Sequence, residues 1–233
     1  MTSRNSNWKS ESGKFKGPIP LLPAGKDYLW GGRRLRDDFS KDIPLTPLAE
    51  TWECSTHPDG LSLLAGDPEK TLHELLQENP WMFGTHPAKS MPEAVEKGEL
   101  PVLIKFIDAA SDLSVQVHPD DAYAKEHENG QLGKSEMWYV VDAAPGANLV
   151  YGFSHDMDRD RVREAAQNGT LEKHLQRVPI RKDDVFFIPA GTVHAIGGGS
   201  LIAEVQESSN LTYRLYDYHR IGKDGKERPL HLE

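Results

Sequence analysis

Short strand-like runs dominate the pattern of apolar and polar positions. They are rich in Val, Ile, Tyr and Phe and are bounded by Gly, Pro, Asp and Ser. They fall in three regions. The first holds "LAETWECS" and "LSLLAG". The second runs from "PVLIKFIDA" through "LSVQVHP" to "EMWYVVDA" and "ANLVYGF". The third holds "DDVFFIPAG", "TVHAIGG", "SLIAEVQES" and "LTYRLYDYH". Helical spacing is rarer. In "DPEKTLHELLQENPWMFG", Leu72, Leu75 and Leu76 share one helical face, and Pro80 stops or interrupts the helix. "HPDDAYAKEHENG" opens with Pro119, is acidic in its first turn and ends at Gly130. "DMDRDRVREAAQNG" stops the same way at Gly169, and "TLEKHL" adds one further turn. The pattern predicts a mainly β chain, a sandwich or barrel, with a helical insert near residues 67–98 and a helical excursion near 156–176.

One strand carries unusual chemistry. Alternation places Ser114, Gln116 and His118 on one face and Val115 and Val117 on the other. Pro119 ends that strand, and Glu136 follows where the next begins. Farther on, Pro189-Ala190-Gly191 is a turn in which proline fixes φ and glycine accepts φ > 0, aiming His194 inward. Two imidazoles, a carboxylate and an amide oxygen suit a borderline divalent metal, with zinc the first choice and other transition metals open. A single strand histidine is more often a hydrogen-bonded structural residue. Of the ten histidines, His57, His86, His127, His155 and His174 sit in polar contexts that favour solvation, His73 and His231 carry no usable signal, and His219 is as well read as surface.

Charge and composition narrow the partners. Lys plus Arg number 27 and Asp plus Glu 36, a net charge of −9. That balance argues against nucleic acid or an anionic membrane as partner, but a pocket can still hold a small anion. Cys54 is the one cysteine, so no intrachain disulfide forms, and it reads as a small core residue rather than a nucleophile. No apolar signal region or membrane-length run occurs, which predicts a cytoplasmic protein. Residues 1–17 read as a disordered tail whose Trp8 and Phe15 could dock on the core, while Trp52, Trp138 and Tyr139 read as core.

Taken in order, "QVHP", the downstream Glu136 and "PAGTVH" resemble the two motifs of the cupin superfamily, a jelly-roll β-barrel. "YLWGG", "AETWECSTHPDG", "KFIDAASDLSVQVHPDD", "GKSEMWYV", "IPAGTVHAIG" and "EVQESSNLTYRLYDY" are similar, in the same order, to type I mannose-6-phosphate isomerases of the short bacterial branch, over roughly residues 18–231. The resemblance implies one zinc ion per chain on Gln116, His118, Glu136 and His194, with Gln116 the weakest member of the set. It implies active-site roles for Arg214, Glu204 and Lys134, and contacts to the phosphate from Ser114 and Arg220. It further implies a sugar-phosphate substrate, with mannose 6-phosphate and fructose 6-phosphate exchanged by proton transfer through a cis-enediol, either Glu204 or Lys134 being the base. The residues are compatible with plainer roles: Arg214 and Arg220 as surface cations, Lys134 as a solvated loop cation, Ser114 as a backbone partner. Glu204 is different, because an acid inside an apolar strand needs a partner. Alternation puts Glu204, Gln206 and Ser208 on one face.

The chain departs from that branch at its end, where a further β-rich region is expected and missing; the uncovered face predicts a homo-oligomer. "GKSE" has serine where proline is common, and "IGGGS" is glycine-rich for a strand connection. Three other functions stay open: a cupin isomerase acting on glucose 6-phosphate, an iron-dependent cupin oxygenase, and a sugar-phosphate binding or regulatory module without catalysis.

Overall fold

The computed structural model describes residues 17–222 and 224–233. The tail expected over residues 1–17, with Trp8 and Phe15, lies outside the described residues except for Gly17. The strands are β1 (Leu21–Leu22), β2 (Ala24–Lys26), β3 (Glu50–Cys54), β4 (Leu63–Leu64), β5 (Asp67–Thr71), β6 (Val102–Ala109), β7 (Val115–Val117), β8 (Glu136–Ala143), β9 (Asn148–Phe153), β10 (Leu175–Pro179), β11 (Val185–Ile188), β12 (His194–Ile196), β13 (Ser200–Glu207) and β14 (Tyr213–Tyr216). The α-helices are α1 (Arg34–Asp37), α2 (Leu72–Glu78), α3 (Thr85–Ser90), α4 (Pro92–Lys97), α5 (Asp121–His127) and α6 (Arg159–Gln167). The architecture is mainly β, with antiparallel sheets. The chain forms two compact units: Trp52–Ile104 with the segment ending at Ala24, and Gly25–Thr51 with Lys105–Glu233.

The first unit pairs β1, β4 and β5 and adds α2, α3 and α4. Leu64, Leu72, Leu75 and Leu76 bury together, with Cys54 packed against them. The helical run begins later than its composition predicts. Asp67–Thr71 is a strand paired with β4, and the helix starts at Leu72. A capping box sets that start. The Thr71 hydroxyl accepts from the Glu74 amide at 3.0 Å, and the Glu74 carboxylate accepts from the Thr71 amide at 2.8 Å. Thr71→Ala is therefore expected to lower the unfolding free energy by about 0.5–2 kcal/mol, read as a fall in the urea midpoint. The helix stops at Glu78, ahead of Pro80 as expected, and Pro80 opens a 3-10 turn, Pro80–Phe83.

The second unit holds a five-stranded sheet, β10-β9-β12-β7-β14, and a six-stranded sheet ordered β11-β8-β13-β6-β3-β2. One apolar layer draws on both: Ile107, Trp138, Val140 and Ile202 from one sheet, Leu149 and Ile196 from the other. Strand alternation decides what enters it. In β8, Glu136, Trp138 and Val140 point inward; Tyr139 points out and is 36% exposed. Its expected place in the core is thus corrected, because the period of two outweighs its aromatic character. In β13 the same alternation turns Ile202, Glu204 and Gln206 inward. The outer side of the five-stranded sheet is covered by Ala165 and Ala166 of α6, packed with Val115, Val150 and Leu215. Residues 175 and 176, expected to finish a helical excursion, instead open the edge strand β10. No helix among the described residues is long and apolar enough to cross a membrane.

Candidate metal centre

Strand β7 lies between β12 and β14, with Gln116 directly opposite His194 on one side and Arg214 on the other. Directly opposed residues of antiparallel strands share a face, so all three point the same way. The Pro-Ala-Gly turn is fastened to the end of that strand. Gly191 has φ +83°, and its amide donates to the His118 carbonyl at 2.8 Å. Glu136 arrives from β8. The loop after α5 brings its neighbour Lys134 close, with the Lys134 amide donating to the Pro119 carbonyl at 3.0 Å.

The two imidazoles are held in one tautomer. His118 Nδ1 lies 2.7 Å from the Leu211 carbonyl and His194 Nδ1 2.8 Å from the Thr192 carbonyl. A carbonyl only accepts, so each Nδ1 carries the hydrogen and each Nε2 presents a lone pair. Those lone pairs face Glu136, at 3.2 Å from Oε1 for His118 and 3.6 Å from Oε2 for His194. The three donor atoms lie within 4.8 Å of one another, and all three side chains are buried. Burial pushes the His118 imidazole down to about 3, with the Lys134 charge adding to it, and burial also lowers His194. Both rings are therefore neutral near pH 7, as metal ligands must be. For Glu136 burial acts upward, but the Lys134 charge outweighs it and holds the carboxyl well below its ordinary value. A buried anion with two neutral nitrogen donors suits a divalent cation, and Glu136 Oε2 has no hydrogen-bond partner among the described residues. Gln116 reaches the cluster through its amide nitrogen, 3.3 Å from His194 Nε2. The Lys134 ammonium pairs with Glu136 Oε1 and lies 3.2 Å from His118 Nε2.

Gln116 and Lys134 also line a cavity of about 300 Å³, so the cluster sits one side chain behind its wall. Ser114, Glu204 and Arg214 line the same cavity. Glu204 Oε2 accepts from the Trp138 indole at 2.9 Å, and Oε1 lies 3.2 Å from Lys105 and 3.9 Å from Lys134. Burial and then the Glu136 charge push the Glu204 carboxyl up to about 7 against the pull of both lysines. Arg214 Nη1 donates to the Pro229 carbonyl at 3.1 Å, while its buried Nε has no hydrogen-bond partner among the described residues.

Arg220 is placed elsewhere. Its guanidinium bonds to Asp217 and to the Asp112 carbonyl and does not line the cavity. Four charged or imidazole side chains on the cavity were not assigned to it from the sequence: Glu50, Lys105, Arg228 and His231. Lys105 bridges Glu204 and Glu50, the latter at 3.6 Å. Burial acts to lower the Lys105 ammonium, but Glu204 and Glu50 outweigh it and hold it above its ordinary value. A lysine inside "PVLIKFIDA" was a usable signal, since a buried cation needs paired acids. His231 had none: its Nδ1 accepts from the Arg214 amide at 3.0 Å, a contact across 17 residues.

The catalytic-domain family of type I phosphomannose isomerase matches residues 19–143, a stretch holding Gln116, His118, Lys134 and Glu136. The chain belongs to this family. Among similar proteins, the mannose-6-phosphate isomerase of Streptococcus mutans is 42% identical over 93% of this chain, and the mannose-6-phosphate isomerase ManA of Bacillus subtilis is 40% identical over 93%. The chain spans about two thirds of those relatives, 66% of each. The crystal structure of the Bacillus subtilis mannose 6-phosphate isomerase matches with a TM-score of 0.83 and 39% identity, covering 93% of this chain and 67% of that one. A mannose 6-phosphate isomerase structure bound with zinc and yttrium has a TM-score of 0.63 and 19% identity, covering 84% of this chain and 70% of that one. At that identity it shows the shared fold alone.

Proposed function

We propose that the chain interconverts mannose 6-phosphate and fructose 6-phosphate in this cavity, with zinc held by His118, Glu136 and His194 and assisted by Gln116. The observation that carries the reading is the placement of Glu204, a carboxyl raised to about 7, on a cavity backed by three convergent metal donors. The activity of the mannose-6-phosphate isomerases it resembles supports the choice of substrate. When bound, zinc supplies Lewis acidity toward the carbonyl and hydroxyl oxygens of the open sugar.

The chain's own residues divide the rest of the work. Glu204, as carboxylate, removes the proton from C2 of the aldose. The C–H electron pair becomes the C1–C2 double bond of the enediol, and the carbonyl oxygen takes up a proton. The enediol's C2 hydroxyl then gives up its proton, and Glu204 returns its own to C1. Glu204 is the better base of the two candidates because Lys134 is already paired with Glu136 and His118. Arg214 is permanently cationic and faces the negative charge of substrate and enediolate. Trp138 fixes the carboxyl by its indole bond, which leaves Oε1 directed to the two lysines.

A coupled assay tests the reading: mannose 6-phosphate supplied, fructose 6-phosphate detected, before and after chelation. Turnover is expected to vanish with chelator and to return with zinc. Sugar-phosphate binding with no turnover in the zinc-restored chain would replace it with a non-catalytic module.

A further inference from the structure

The cavity wall carries four permanent or near-permanent cations: Lys105, Lys134, Arg214 and Arg228. Two are already matched by acids. Lys105 lies between Glu50 and Glu204, and Lys134 is paired with Glu136. The two arginines are not matched in the same way. Among the described residues no carboxylate pairs with Arg214 and its buried Nε has no hydrogen-bond partner. Arg228 is gripped from behind: its Nε donates to Asp217 Oδ2 at 2.7 Å and its Nη2 to Asp217 Oδ1 at 2.6 Å. That fork leaves Nη1 without a hydrogen-bond partner among the described residues. Arg220 shares Asp217 but commits all three guanidinium nitrogens to Asp217 and the Asp112 carbonyl.

One carboxylate, Asp217, thus stands among three guanidiniums, leaving a positive excess that a small anion can match. Burial lowers the Arg214 guanidinium, and Arg228 is the next contributor, so the two feel each other's charge. The chain is folded to hold them together. It reverses after β14, with the Gly222 amide donating to the Lys226 carbonyl at 2.7 Å and a bridge between Ile221 and Glu227. The return segment then lies along β14, the His231 amide donating to the Arg214 carbonyl at 2.8 Å. Ser114 and Thr212 add hydroxyl groups to the same cavity.

We propose that Arg228, positioned by Asp217, is a specificity-determining residue that with Arg214 seats the phosphate group of the substrate. A planar guanidinium fixed along one edge, on a residue that lines a cavity, is preorganised for a tetrahedral oxyanion. The choice of a sugar phosphate rests on the isomerase reading; the anion seat itself is testable with inorganic phosphate.

The experiment compares the metal-loaded chain with Arg228→Gln and Arg228→Lys, using calorimetry with inorganic phosphate and steady-state kinetics with mannose 6-phosphate. For Arg228→Gln, phosphate binding is expected to weaken by about 10- to 100-fold. KM for the sugar phosphate rises by a similar factor while kcat falls by less than about threefold. Arg228→Lys keeps the charge but loses the two-pronged grip on Asp217, and is expected to fall between the two. Phosphate affinity within about twofold of the parent chain in both variants overturns the seat. So does a loss confined to kcat. If near-ultraviolet circular dichroism shows Arg228→Gln unfolded, the Arg228→Lys variant decides alone, and unchanged phosphate affinity there overturns the proposal. Phosphate binding that depends on Arg228 in a chain that never turns over mannose 6-phosphate keeps the seat and rejects the isomerase reading. Turnover with phosphate binding indifferent to Arg228 does the reverse.

Discussion

Alanine at His118 or at His194 is expected to abolish stoichiometric metal binding and, with it, the proposed isomerase turnover. Each ring is fixed by one Nδ1–H bond to a backbone carbonyl, so no rotation of a neighbour can replace the missing Nε2. Losing a partner that merely orients a ligand costs about 10–100-fold in metal affinity, and losing a ligand of three costs at least that. The histidine variants are cleaner probes than Glu136→Gln. Removing the Glu136 charge would strand the buried Lys134 ammonium, and breaking such a buried pair costs about 3–5 kcal/mol. Loss of the fold would then be hard to separate from loss of the metal. With histidine removed, Lys134 and Glu136 remain paired. The measurement is metal per chain after dialysis, with the rise in melting temperature on adding zinc as a second readout. A full complement of metal in either variant would remove these residues from the centre.

The strands that build the centre were legible because their chemistry and their period agree. Alternation alone put Gln116 and His118 on one face, and the glycine of the Pro-Ala-Gly turn needed its positive φ. Glu204 was legible for the opposite reason: a charge at an inward position of an apolar strand conflicts with its surroundings, and such conflicts mark sites. Lys105 carries the same signature inside its apolar run; what the run does not disclose is its partners, Glu50 and Glu204, which lie far away in sequence. Tyr139 went the other way, since its type suggested burial and its register forbade it.

Arg228 and His231 were illegible for a topological reason. They reach the cavity only because a turn after Ile221 folds the chain back along β14. Nothing in their local spacing announces that return. Arg220 and Arg228 both follow "YRLYDY"; Asp217 and the Asp112 carbonyl engage all three guanidinium nitrogens of Arg220, whereas Asp217 engages two of those of Arg228. Residues 67–71 illustrate a smaller version of the same limit. Their composition belongs equally to a helix start or an edge strand, and pairing with β4 decides it.

Glu204→Gln is expected to lower kcat by about 10²–10⁴-fold, the usual scale for a positioned proton-transfer group. The amide preserves the shape and can still meet the Trp138 indole N–H, so metal content should stay at the parent level. The pH dependence is the sharper test. As a base the carboxyl must be ionised, so parent activity should climb as pH rises through about 7, and the glutamine variant should lose that limb. Stability must move the other way. The folded-state value lies above the unfolded one, so the protonated form favours folding. That contribution is fully present below the unfolded pKa of about 4.3 and is lost as pH rises through about 7. Between those limits the parent chain should lose urea resistance relative to Glu204→Gln, which cannot ionise. The ionised carboxylate that the reaction needs is thus the state the fold disfavours, because Glu204 is buried beside the Glu136 charge. Parallel stability curves for the two chains from pH 5 to pH 8, or an acid limb that survives in the glutamine variant, would assign the proton transfer to another group (on this cavity wall, Lys134).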